Sequence, residues 1–151
     1  MTTRCHVAET DVEASPAEVF AALLTPSAIR AWWSARSAIV DARPGGTWAA
    51  AWGDDEDAPD YITTATIVEL DVPRRLVLGQ YRYFARTGPP PFDADFTTEF
   101  TVAARDGGSR LTVRQDGFPA GPIADAFYEG CERGWRDTLA SLASFVARHA
   151  C

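Results

Sequence analysis

The sequence contains no lysine, a single methionine, two histidines and three cysteines in 151 residues. All fourteen basic residues are therefore arginines, outnumbered by twenty-one carboxylates, and the formal net charge is −7. Such a balance argues against a nucleic-acid surface, which requires a basic stripe. Cys5, Cys131 and Cys151 show neither CxxC nor Cys/His spacing, and an odd count does not build a disulfide framework. His6 and His149 stand at opposite ends of the chain, so neither a metal site nor a catalytic nucleophile–base pair is expected, and no cofactor. No apolar run approaches the ~20 residues of a membrane span, and the N-terminus has no signal-peptide core. These absences lead to the expectation of a cytoplasmic protein without membrane contact. With neither repeats nor low-complexity tracts, residues 1–151 are expected to form one domain with a real core.

What is present is organised around the last long stretch, Ile123 to Arg148. At about 100° per residue, Phe127, Cys131, Trp135, Thr138, Leu139, Leu142, Phe145 and Val146 fall on one stripe of a helix. Glu129, Glu132, Arg133 and Arg136 fall on the opposite side at pairing distance. Pro122 suits the first helical position. At roughly 1.5 Å per residue this helix is roughly 39 Å long, enough to cross a small domain. Gly130 and Gly134 lie one turn apart within it, and each costs about 1 kcal/mol relative to alanine. They signal close packing, a bend, or room left beneath the helix for a ligand.

The rest of the chain supplies strands to be covered. Arg4 to Glu13 alternates as a strand, with His6, Ala8, Thr10 and Val12 on one side. Ser15-Pro16-Ala17-Glu18 is a capping box, opening a helix that buries Val19, Phe20, Leu23 and Leu24. Thr25-Pro26 starts a second short helix ending near Trp32-Trp33. Strands follow at Ser37 to Ala42, Thr47 to Trp52, Tyr61 to Leu70, Arg75 to Phe84, Phe92 to Ala104 and Ser109 to Asp116, separated by turn residues. The acidic turn Gly53 to Pro59 lacks calcium-loop spacing and reads as solvated. One strand, two short helices, six strands and one long helix imply an α+β fold. Its seven-stranded antiparallel sheet curves around the C-terminal helix, and a cavity is expected between them.

Val12-Glu13-Ala14-Ser15-Pro16-Ala17-Glu18-Val19-Phe20 followed by Trp32-Trp33 resembles the opening of the SRPBCC (START-like, birch-pollen-allergen-like) superfamily. More narrowly, it is similar to the branch homologous to the activator of the heat-shock protein 90 ATPase. Pro44-Gly45-Gly46-Thr47-Trp48, the run from Val68 to Val77, the run from Thr112 to Phe118, and Gly134-Trp135 continue the resemblance in order. It implies a helix-grip fold with an internal apolar pocket for a small molecule. Gln115 stands where relatives often carry a histidine, so no histidine-dependent chemistry is carried over.

The expected role is thus binding of a hydrophobic, aromatic or lipid-like small molecule between sheet and helix. The expected pocket residues are Trp33, Trp48, Trp52, Phe96, Phe100, Phe118, Phe127, Cys131, Trp135 and Leu139. By alternation Gln80, Arg82 and Gln115 share the inward face of Leu76, Leu78, Leu111 and Val113. There a cationic Arg82 would favour a carboxylate or phenolate. A cyclase- or aromatase-like enzyme using Asp93, Asp95 or Glu99 as base is the alternative, as is a co-chaperone-like or homodimeric interaction protein.

Overall fold

Local signals place the first elements where the alternation and capping residues put them. The computed structural model describes residues 3–89, 92 and 95–149. Strand β1 (Thr3–Val12) buries His6, Ala8 and Val12 and exposes Val7, Glu9 and Asp11. Helix α1 (Pro16–Leu24) opens on the capping box. The Ser15 hydroxyl accepts from the Glu18 backbone N–H, and the Glu18 carboxylate accepts from the Ser15 backbone N–H. Helix α2 (Pro26–Trp33) follows after a single residue and stops at Ser34, which takes the left-handed conformation.

Strands β2 (Ser37–Val40), β3 (Thr47–Trp52), β4 (Tyr61–Asp71), β5 (Arg75–Ala85), β6 (Thr97–Arg105) and β7 (Gly108–Pro119) then form a meander, and β1 joins its far edge beside β7. The antiparallel sheet runs β1-β7-β6-β5-β4-β3-β2. The α1–α2 segment connects its two edges. Helix α1 packs on β6 and β7, α2 on β2, and both meet α3 (Pro122–His149). The inward stripe of α3 is the expected one, with Trp135, Leu139, Leu142 and Val146 all buried. Most of the ion pairs are exposed at both ends, such as Arg74 with Asp71 and Arg136 with Glu132, and those contribute little to stability. Burial of the apolar stripe is what holds the helix down.

Two irregularities correct the sequence reading. In β5, Leu76 and Leu78 face inward as expected, but Gln80 and Arg82 are exposed and Tyr81 and Tyr83 take the inward positions. The cause lies in the pairing with β4. Thr66 pairs with Gly79 and Thr64 with Arg82, so Gln80 and Tyr81 together oppose Ala65. Gln80 adopts a φ of 52°, and this two-against-one bulge turns every later side chain to the other face. The second irregularity is at β6, which starts at Thr97 rather than Phe92. Gly117 has a φ of 94°, and a β-carbon there would lie 2.2 Å from the Asp95 carbonyl oxygen. The chain entering β6 passes directly over this glycine, which no other residue would allow.

The α3 glycines have neither of the roles that needs space or closeness. Gly130 and Gly134 lie on the exposed side, and a β-carbon on either would meet nothing within 4 Å. They open no room beneath the helix. Gly130→Ala and Gly134→Ala should therefore each stabilise the protein by about 0.5–1 kcal/mol, through helix propensity alone. Urea unfolding curves check this, with a higher midpoint and an unchanged slope as the expected outcome.

Candidate functional site

Helix α3 presses its rings onto rings from the sheet and from α2, and two clusters result. The first is centred on Trp33, whose ring centroid lies 4.8 Å from that of Trp52, 5.4 Å from Trp48, 5.5 Å from Trp135 and 5.6 Å from Trp32. Trp135 in turn meets Phe100 edge-on. Three of the indole N–H groups are spent on backbone carbonyls of the α1–α2 region: Trp32 on Ala22, Trp48 on Leu23 and Trp52 on Trp33. These rings fix α1 and α2 to the sheet, with Leu139 buried beside them in the same core.

The second cluster lies under the first half of α3. Phe127 contacts Phe96, Phe118, Tyr83 and Phe92, and Tyr83 stacks on Tyr81 with ring planes 5° apart. Burial pushes the Cys131 thiol up to about 11, so it stays protonated. The phenols of Tyr81 and Tyr83 are likewise raised by burial.

A buried chain of hydrogen bonds threads this cluster. Tyr81 donates to the Thr98 hydroxyl at 2.7 Å, and the Gln115 amide nitrogen donates to the same oxygen at 3.0 Å. The Gln115 carbonyl is left as acceptor, 2.8 Å from His6 Nε2, which must therefore carry the proton. His6 is only 4% exposed, and its Nδ1 has no hydrogen-bond partner. Charging the ring would place a second buried N–H with nothing to receive it. Desolvation accordingly holds the His6 pKa below its ordinary value, against smaller upward pulls from Gln115 and Glu132.

Beside Tyr83 the rings stop short of the sheet's end and leave a pocket of about 240 Å³. It lies between the start of β4, the end of β5, the turn at Gly88-Pro89 and the first turns of α3. Thr63, Tyr83, Phe84 and Phe127 are among its walls, and its described walls carry no charged side chain. A separate groove of about 320 Å³ runs outside, between α1, α2 and the end of α3, near Thr25, Phe145 and His149. None of the rings of the two aromatic clusters lines that groove, although its Ala22 accepts the Trp32 indole N–H through its carbonyl.

Of the residues expected at a site, Phe127 alone lines this pocket, with Phe96 and Phe118 packed behind it. Trp33, Trp48, Trp52, Phe100, Trp135 and Leu139 belong to the tryptophan-centred half of the interior. Gln115 is engaged in the polar chain. Gln80 and Arg82 are on the outer surface, so the guanidinium expected to greet a carboxylate is absent from the interior. Glu99 pairs with Arg75 at 3.1 Å and Asp95 is exposed, while Asp93 lies outside the described residues. Regular alternation does not mark Tyr81, Tyr83, Thr63 or Thr98 as site residues. Gly79 within a strand was the available signal, since such a glycine marks a bulge. Among the described residues no group of acidic, histidine or cysteine side chains could hold a metal ion, and no helix is long and apolar enough to cross a membrane.

An antiparallel sheet closed over by one long terminal helix, with two short helices linking its edges, is the helix-grip arrangement of the SRPBCC superfamily. The chain belongs to the family described as Activator of Hsp90 ATPase homolog 1-like protein, whose sequence profile matches residues 13–147. Solved structures agree on the fold. Protein CV1439 from Chromobacterium violaceum is 25% identical, with a TM-score of 0.72 over 95% of this chain and 97% of that one. Protein MLL2253 from Mesorhizobium loti is 19% identical, with a TM-score of 0.79 over 98% of this chain and all of that one. DynU16, a protein of the dynemicin biosynthetic locus, is 17% identical with a TM-score of 0.72, and the match spans 48% of its length. No curated protein matches the sequence.

The lowered His6 pKa sets a pH dependence of stability. Neutral His6 is favoured in the folded state, so its contribution is complete above the unfolded value of 6.5 and is lost as pH falls from there through the folded value. The protein should become easier to unfold with urea between pH 7.5 and 5, and His6→Phe should flatten that part of the slope. Equal slopes in both proteins would remove His6 as the cause.

Proposed function

We propose that this protein is a small-molecule-binding module that holds a compact, flat hydrophobic ligand in the pocket between β4, β5 and α3. The observation that carries this reading is the pocket itself, an apolar hollow of about 240 Å³ walled by Tyr83 and Phe127 and backed by further rings. Hydrophobic, aromatic-lined concavities with few polar groups are what small-molecule sites are made of. The volume is below the roughly 300–1,000 Å³ usual for drug-sized ligands, which points to a molecule of about two fused rings. Membership of the SRPBCC superfamily agrees with this reading. Binding is favoured over cyclase- or aromatase-like catalysis because the described walls offer hydroxyl groups and no carboxylate or imidazole to move a proton at neutral pH. The likeness to DynU16 concerns the fold.

Calorimetric titration with naphthalene-sized hydrophobic compounds tests the proposal. The expected outcome is one-to-one binding that weakens by about tenfold in Phe127→Ala, the loss appropriate to removing one aromatic wall. Binding that is unaffected by Phe127→Ala would move the ligand elsewhere in the fold. Failure of every compound to bind would remove the role.

A further inference from the structure

Tyr81 and Tyr83 stack side by side, yet their hydroxyl groups are employed differently. Tyr81 donates to Thr98 in the buried chain, whereas the Tyr83 hydroxyl makes no hydrogen bond among the described residues. Thr63 is the direct cross-strand partner of Tyr83, faces the same pocket and also leaves its hydroxyl unused among those residues. Directly opposed residues on antiparallel strands hold their β-carbons about 4.5–5.5 Å apart, so the two side chains reach one patch of the wall. We infer that this pocket selects uncharged aromatic ligands that carry a carbonyl-type acceptor, and that the Tyr83 hydroxyl, supported by Thr63, is the donor that recognises it.

The surroundings argue for neutrality as well as for the acceptor. Arg82 points outward, and Arg86, the next cation along the chain, is tied to the Asp60 carboxylate and to the carbonyls of Ala58 and Pro59. An anionic ligand would lose its hydration and find no counter-charge on the described walls, and a cationic one would fare the same. Burial keeps the Tyr83 phenol protonated well above neutral pH, so it remains a donor throughout. An apolar ligand would leave that donor unpaired once water was expelled, which gives the ketone its advantage.

This inference rests on the pocket being a ligand site, and isosteric probes separate the two claims. 2-Acetylnaphthalene, 2-isopropylnaphthalene and 2-naphthoate share shape and differ in one group, so NMR titration of each isolates the effect of that group. Wild type should bind the ketone about three- to tenfold more tightly than the hydrocarbon, with the carboxylate weakest. Tyr83→Phe should abolish the preference and bring the two to similar affinity, weakening the ketone and, with no hydroxyl left to strand, tightening the hydrocarbon. Thr63→Val should act in the same direction more weakly. Equal binding of ketone and hydrocarbon, a carboxylate that matches the ketone, or an indifferent Tyr83→Phe would overturn the selectivity while leaving the pocket intact. No binding by any of the three would overturn both.

Discussion

Contact between the apolar stripe of α3 and the inner face of the sheet is the interaction on which the other features depend. Trp135, Leu139, Leu142 and Val146 are buried along the helix, and Phe127 continues the line toward its start. Each such side chain is worth roughly 1.5–3 kcal/mol when taken out of water, far more than the exposed ion pairs around it. The helix cannot be lifted from the sheet without exposing the whole line. Everything else in the interior is arranged to meet it: the tryptophans of α2 and β3 under its middle at Trp135, the phenylalanines and tyrosines under its first turns.

Those two halves are held in different ways. Under Trp135 the rings pack against one another, and the indole N–H groups of Trp32, Trp48 and Trp52 are satisfied by backbone carbonyls, which makes that end a mechanical joint between helices and sheet. Under Phe127 the packing admits polar atoms. His6, Gln115, Thr98 and Tyr81 bond to one another in a row, and His6 Nδ1 is the one side-chain nitrogen or oxygen of the row left without any partner among the described residues. A buried chain of this kind tolerates little change, since removing a member strands its neighbour at a cost of about 1–3 kcal/mol. Beyond it, where Tyr83 adjoins the end of the sheet, the packing gives way to the pocket.

The bulge at Gln80 decides which chemistry faces that pocket. Had β5 kept strict alternation, a guanidinium and an amide would point inward and the interior would suit an anion. With two residues opposing Ala65, those groups go to water and two phenols take their place. One strained residue thereby changes the inner surface from charged to neutral, a surface that suits uncharged molecules.

Much of the scaffold was legible in the chain itself. The capping box at Ser15, the stripe from Phe127 to Val146, the inward side of β1 and the order of strands follow from local propensity and periodicity, which operate over a few residues and need no partner. Family membership was legible for the same reason, because its motifs are mostly those turns and stripes. What the chain alone did not disclose depends on pairs of distant residues. Phase across β5 is set by hydrogen bonding to β4, and the partner of His6 lies 109 positions away at Gln115. The hollow beside Tyr83 exists only where β4, β5 and α3 fail to fill the space between them. Local periodicity reports which way a side chain would point in a regular strand; only the assembled sheet decides where that regularity breaks.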